Sequence, residues 1–315
     1  MALNPRDLFP SDRLGEIIDI QPFASGMSRA VVRAVKTASG TYVLRVHPDR
    51  DGAEGETDTP FDVLRLVAEN GIAPPLLHAD EANRCTVWAL IDAAPLATAL
   101  ASPQTREAAF TSLVRQLARL HALPPPGGVV SRELLETARA LWSGQSQRPG
   151  FAEWARPLGA RLPELGAVLA RDPRRVLSHC DMNPTNILWD GTRVWMVDWD
   201  QAALMHPYLD LAVIANFLNL GDGETVSLVA AQEGAPLSPE QREVLSALRD
   251  VTRLIFGCIF LRLVPDLTAL PWRTADEVPT LGECYARMRA GTLDVRSMEG
   301  QAMMGHAVFK QALGA

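Results

Sequence analysis

A chain of 315 residues, 47% hydrophobic and 21% charged, is long enough to bury a sizeable core as one large domain or as two lobes. Its formal net charge of −7 argues against a nucleic-acid partner held by bulk electrostatics, and suits a cationic substrate only modestly. The four cysteines, at 85, 180, 258 and 284, show neither paired metal-ligand spacing nor disulfide density, a usage that fits a reducing cytoplasm. The N-terminus has no apolar core of signal-peptide length. The longest apolar run, 254–264, is broken by Gly257 and Arg262, so a soluble cytoplasmic protein with no membrane partner is expected.

In chain order, 17–23 alternates loosely as a strand. The small-residue run Ala24-Ser25-Gly26-Met27-Ser28-Arg29 follows, then strands over 30–35 and 41–46 joined by the turn Thr37-Ala38-Ser39-Gly40. A loop of small residues lets backbone N–H groups approach phosphate oxygens closely, although one glycine and two serines suit a plain hairpin turn equally well. Residues 49–60 form a polar loop. Apolar residues at 61, 63, 64, 66 and 67 predict a helix that stops at Asn70-Gly71. Two more strands, 75–79 and 85–91, flank the turn Asp80-Glu81-Ala82-Asn83. Beyond residue 93 the periodicity turns helical, over 105–123 (ended by three prolines), 134–142, 153–170, 238–264 and 280–313, with a further helix opening at 208–212.

The stretch 176–217 interrupts the helices. Ile187 to Trp189 is apolar, Asp190-Gly191 is a strong hairpin signal, and the run from Val194 to Trp199 is again strand-like. A hairpin returns its outer ends to one place, so Asp181, Asn186 and Asp198 are expected to converge. Hard cations such as Mg²⁺ take oxygen ligands, and an Asn with an Asp can hold one beside a phosphate chain. A separate carboxylate nearby can orient a hydroxyl and accept its proton. The spacing His179-x-Asp181-x-x-x-x-Asn186, with Asp198 downstream, has the order of a kinase catalytic loop and its metal-binding Asp. A surface loop rich in turn formers is the plain alternative, but it accounts neither for the spacing nor for the framing strands.

HCDMNPTNILW, VDWDQA and YLDLA resemble the aminoglycoside phosphotransferase and choline kinase superfamily, small-molecule kinases with a protein-kinase-like fold. The resemblance implies an α+β, bilobal fold. Residues 1–92 would form a nucleotide-binding lobe with a small antiparallel β-sheet and one helix, and 93–315 a larger, mainly helical catalytic and substrate-binding lobe. It also implies ATP or GTP and Mg²⁺ as cofactors and a small-molecule hydroxyl as acceptor.

The implied roles follow residue by residue. Asp181 is the base, and Asn186 and Asp198 hold the metal. Asp200 assists the metal or faces substrate. The 25–28 backbone (Ser25, Gly26, Met27, Ser28) and Arg45 steady the nucleotide, Arg45 standing in the third-strand position where the family carries a cation. Leu90 and Ile91 belong to a hinge whose main chain would bind adenine. His179 and Asp210 support the catalytic loop, and Cys180 fills space. Here the chain departs from the pattern: the helix glutamate that would pair with the strand cation falls near Pro60, leaving Asp62 first among the substitutes, ahead of Asp58 and Glu56. Trp189, Trp195 and Trp199 either pack the hairpin or stack on a cationic headgroup. A catalytically silent nucleotide-binding module is the alternative reading, motivated by the missing glutamate and opposed by the intact Asp181, Asn186 and Asp198. A protein kinase is disfavoured because Asp-Phe-Gly and Ala-Pro-Glu are lacking and only nine residues separate Asp200 from Asp210.

Overall fold

A computed structural model describes residues 4–23, 30–47 and 61–314. The chain divides into two compact units, Met1–Val130 with Val176–Leu204, and Ser131–Arg175 with Met205–Ala315. Compactness thus cuts the chain elsewhere than after residue 92. The reason is visible in the first unit: Met196 N donates to Ile72 O (2.9 Å), and the buried Gln116 side chain bridges Gly71 O and Val194 O at 3.0 Å each. These bonds stitch the motif-bearing stretch to segments far upstream.

The first unit is built on a five-stranded antiparallel sheet of β1 (Ile17–Pro22), β2 (Val31–Thr37), β3 (Gly40–Val46), β4 (Leu76–Asp80) and β5 (Cys85–Ala89), in the order β1-β2-β3-β5-β4. Alternation drives it. Val35, Leu44, Cys85 and Val87 turn to one face and form a core with Leu8 and Phe9, each large side chain contributing roughly 1.5–3 kcal/mol by leaving water. Burial pushes the Cys85 thiol up to about 11, as befits a space-filling cysteine. Register places Arg45 of β3 opposite Thr86 of β5. The helix Phe61–Glu69 buries Val63, Leu64 and Val67, and stops where expected: Gly71 takes a left-handed φ of +61°, and Ile72 N closes back on Val67 O (2.9 Å).

The unit continues with β6 (Ala94–Pro95), the helices Leu96–Ala101 and Pro103–His121, and β7 (Val176–Ser178), then β8 (Ile187–Trp189), β9 (Val194–Met196) and β10 (Ala203–Met205). β8 and β9 form the expected hairpin, with Ile187 opposite Met196 and Trp189 opposite Val194. The second strand ends at Met196, short of the expected Trp199, because Asp198 adopts a left-handed conformation and 199–201 coil into a 3₁₀ turn. Asp190 organises the four-residue loop. Its Oδ1 accepts from Thr192 N and Arg193 N (2.8 Å each) and its Oδ2 from Trp195 Nε1 (2.7 Å). Burial favours the neutral acid, yet these donors outweigh it and hold the carboxyl well below the usual range. Asp190→Ala is expected to cost about 1–3 kcal/mol, since the Trp195 indole N–H would lose its partner in a buried setting; urea denaturation reads the loss directly.

The second unit is helical: Leu134–Ser146, Pro157–Ala160, Leu162–Leu169, Leu209–Phe217, Asp222–Glu233, Pro239–Arg262, Leu281–Arg289 and Met298–Leu313. Two expected helices are broken. Pro157 and Pro163, which lack an N–H, each open a fresh helical piece within 153–170. Within 280–313, Gly291 ends one helix at φ +71° and Ser297 caps the next by accepting from Gly300 N (3.0 Å). Ser238 caps the long helix in a capping box with Gln241. Val251, Leu254, Cys258, Leu261 and Phe309 lie in the core of this unit. A Cβ on Gly257 would meet the fully buried Phe309 ring at 2.3 Å, so that helix contact depends on glycine. Among the described residues no helix is long and apolar enough to cross a membrane.

Candidate active site

The hairpin and its flanks bring the chemistry together. Asn186 closes a 3₁₀ turn begun by Pro184, and Val197 N donates to its carbonyl (2.9 Å), so Asp198 leaves β9 next to Asn186. Asn186 Nδ2 donates to Asp181 Oδ2 (2.8 Å) and to Asp181 O (3.2 Å). The amide oxygen Oδ1 has no protein donor among the described residues. Cys180 and Asp198 both sit at φ +66°, a conformation that costs a non-glycine residue of order 1–2 kcal/mol and that clusters at functional sites.

His179, fully buried, holds the loop from within. Its Nε2 lies 2.9 Å from Val197 O, while Nδ1 accepts from Asp181 N at 3.3 Å. The tautomer carrying its proton on Nε2 satisfies both contacts, and the ring packs on Trp199 at 4.5 Å. One side chain therefore ties the base-bearing loop to the strand that leads into Asp198. Burial, with the negative charge of Asp198 adding to it, pushes the Asp181 carboxyl above the ordinary carboxylate range, against the pull of the Asn186 amide.

Arg45 reaches the same place from β3. Its Nη2 donates to Asp198 Oδ1 at 2.7 Å and to Asp200 Oδ2 at 2.5 Å, with the Arg45 side chain only 14% exposed. Charge-assisted bonds of this kind are the strong ones. His47, two residues along the strand, turns Nδ1 toward Asp200 Oδ1 at 3.6 Å. Burial favours the neutral form of Asp200, but His47 and the Arg45 guanidinium outweigh it and hold the carboxyl at about 2. The stability this provides is fully present above the unfolded carboxylate value. It is lost only as pH falls through about 2, so it is constant across the physiological range.

Asp62 does not serve as the partner of Arg45. It is 66% exposed and accepts from Arg65 Nη1 (2.9 Å), one turn along its own helix, while Arg65 also holds Glu81. The alternatives Asp58 and Glu56, and the phosphate-loop residues Ser25, Gly26, Met27 and Ser28, lie outside the described residues. Leu90 and Ile91 follow the end of β5 in a segment without regular structure, Leu90 being 41% exposed. Asp210 belongs to the second unit, fully buried in the first turn of Leu209–Phe217. Trp189, Trp195 and Trp199 are all buried. The Trp195 face is taken by the Arg193 guanidinium at 3.4 Å and Trp199 Nε1 donates to Met196 O (3.0 Å), so the three pack the hairpin. Cys180 Sγ lies 3.6 Å from Ser178 O, within its own loop.

His47 was not anticipated from the sequence. The available signal was its i+2 spacing from Arg45, which puts both side chains on one face of the strand.

These donors suit a hard divalent cation. Asn186 Oδ1 and the Asp198 oxygen left over from the Arg45 bond are both oxygens without a protein partner among the described residues. No group of three His, Cys, Asp or Glu side chains there forms a self-sufficient metal cage. A cation at this point would therefore be completed by phosphate oxygens and water, as is usual for Mg²⁺.

An antiparallel sheet delivering a part-buried arginine to an Asp-x-Asp pair, beside a part-buried Asp–Asn couple, defines a protein of the kinase-like phosphotransferase class. Residues 19–248 match the phosphotransferase enzyme family, and the chain belongs to it. It is 28% identical over 175 residues to a 3-deoxy-D-manno-octulosonic acid kinase of Stenotrophomonas maltophilia, a match covering 52% of this chain and 64% of that protein. Among solved structures, a choline/ethanolamine kinase family protein from Mesorhizobium loti superposes with a TM-score of 0.64 at 18% identity, over 93% of this chain and 92% of that one. The GDP complex of an aminoglycoside 2'-phosphotransferase gives 0.60 at 19% identity, over 78% and 87%. The α+β kinase-like fold expected from the sequence is thus the fold observed.

Proposed function

We propose that this chain transfers the γ-phosphate of ATP or GTP to a hydroxyl of a small metabolite, with Mg²⁺ as cofactor. The observation that carries this reading is the convergence of Arg45, Asp181, Asn186, Asp198 and Asp200, up to 155 residues apart, into neighbouring hydrogen-bonded pairs. Phosphoryl transfer asks little covalent help of a protein; it needs positioning and charge neutralisation. Asp181 orients the acceptor O–H. As the acceptor oxygen bonds to the γ-phosphorus, the bond from that phosphorus to the β–γ bridging oxygen breaks, the nucleoside diphosphate leaves, and the acceptor proton passes to Asp181. Mg²⁺ held by Asn186 and Asp198 would neutralise phosphate oxygens. Arg45 and the backbone of 25–28 steady the phosphates, and the main chain of Leu90 and Ile91 receives the base. His179 and Asp210 act as structural supports.

Bound GDP in the aminoglycoside phosphotransferase supports a nucleotide here. The kinase names of the relatives support amino alcohols, aminoglycosides and sugar acids as acceptor classes. Screening phosphate transfer from ATP and GTP against a panel of these, including 3-deoxy-D-manno-octulosonic acid, choline and ethanolamine, is expected to yield one class whose turnover vanishes in EDTA. Nucleotide binding with no transfer to any acceptor, and none of the slow hydrolysis to water, would instead support a silent binding module.

A further inference from the structure

The kinase pattern calls for an acid that holds the strand cation, and among the described residues Asp198 and Asp200 both bond Arg45. Both Asp200 oxygens are committed, Oδ2 to Arg45 at 2.5 Å and Oδ1 facing His47 Nδ1 at 3.6 Å. Asp198 commits only Oδ1. Asp198 thus has an oxygen facing no protein group among the described residues, whereas each Asp200 oxygen faces a nitrogen.

The His47 ring is itself fixed. Its backbone N–H bonds Arg84 O (2.9 Å), its face lies against Phe61 at 5.7 Å, and Nε2 is 3.4 Å from Thr86 Oγ1. Thr86 is fully buried, and its hydroxyl oxygen accepts from Trp88 Nε1 at 2.9 Å. The Thr86 hydroxyl thus faces one ring nitrogen of His47, Nε2, while the other, Nδ1, faces Asp200. The polar sequence Trp88, Thr86, His47, Asp200, Arg45, Asp198 runs from β5 across β3 to the turn after β9. The separation of 3.6 Å makes the His47–Asp200 contact electrostatic rather than a full hydrogen bond, so its influence is on orientation.

We infer that Asp200 and His47 are positioning residues for Arg45: Asp200 is a counter-ion of its guanidinium, His47 aims that carboxylate, and Asp198 is the acid of the pair that keeps an oxygen for metal. The inference rests on the kinase reading and deepens it.

The test separates phosphate binding from metal binding. ADP affinity in EDTA, read with a fluorescent ADP analogue, reports on Arg45 without metal, and the Mg²⁺ half-saturation of transfer reports on the metal ligands. Asp200→Asn and His47→Phe, the latter keeping a ring against Phe61, are expected to weaken metal-free ADP binding about 5–10-fold and to leave Mg²⁺ half-saturation within about twofold, at ion-pair strengths typical of partly buried sites. His47→Asn, which places an amide N–H where Nδ1 stands, is expected to recover most of the loss; a purely packing role for the ring predicts the opposite ranking of the two His47 variants. Thermal melts establish that each variant is folded. Unchanged ADP affinity in a folded Asp200→Asn protein overturns the inference, as does a Mg²⁺ half-saturation raised more than tenfold at constant ADP affinity, which would make Asp200 a metal ligand. Either result leaves the kinase reading standing. A wild-type protein that binds no nucleotide removes both.

Discussion

Asp181→Asn is expected to lower kcat by about 10²–10⁴-fold, the range spanned by a positioned proton acceptor, while nucleotide affinity stays within a few-fold and the melting temperature rises. The last effect follows from burial. Because the folded pKa of Asp181 lies above its unfolded value, the native state binds more protons than the unfolded chain through that interval. Stability is then highest below the unfolded value and falls as pH climbs through the folded one. Above its folded value the native protein bears the cost of a charged, desolvated carboxylate, and the neutral amide relieves it. The Asn186 Nδ2 donor keeps an acceptor in the new side chain. For a chain of this size each kcal/mol is worth about 2–4 °C. Differential scanning calorimetry beside single-turnover kinetics measures both sides, and equal loss of binding and turnover would make Asp181 structural. In the wild type, the acid limb of kcat/KM is expected above the ordinary carboxylate range, and the wild-type advantage in turnover should vanish below that limb.

Asp198→Asn carries the second large effect. The substitution suits the backbone, since Asn tolerates the left-handed φ of +66° better than Ala would, and Arg45 keeps Asp200 as its partner. The fold is therefore expected to survive. What is lost is the charged oxygen offered to Mg²⁺, so half-saturation by the metal should rise more than tenfold and turnover at 1 mM Mg²⁺ should fall by about 10²-fold or more, as expected when a ligand of a phosphate-bridging metal is neutralised. Isothermal titration of MgADP against metal-free ADP isolates the cause: the gap in affinity between the two should shrink. A variant with undiminished metal dependence would move the ligand elsewhere and leave Asp198 as a counter-ion of Arg45.

Asp200 shows most sharply where reading the chain stopped. Its neighbours along the backbone, Trp199 and Gln201, say nothing of its role. Its partners come from β3, more than 150 residues upstream, and whether it faces metal, substrate or arginine depended on where that strand lay. Asp62 erred for the same reason in reverse. A helical residue two positions past Pro60 looked close enough to the strand cation, yet its rotation about the helix axis points it at Arg65 and water. His47 carried too little local signal to be noticed at all.

Local chemistry, by contrast, was readable wherever it is local in fact. Hairpin alternation from Ile187 to Met196, the Asn70-Gly71 helix stop and the spacing from His179 to Asn186 each concern residues within a few positions of one another, where backbone geometry and hydrogen bonding leave few choices. The sequence alone therefore determined the fold class, the phosphotransferase family and the members of the acid cluster. Only the tertiary structure decided how those acids divide their charge, with Asp200 bound to Arg45 and His47 and Asp198 left an oxygen to spare. Ion pairing in a partly buried site depends on ångström distances between strands, and no spacing along the chain encodes them.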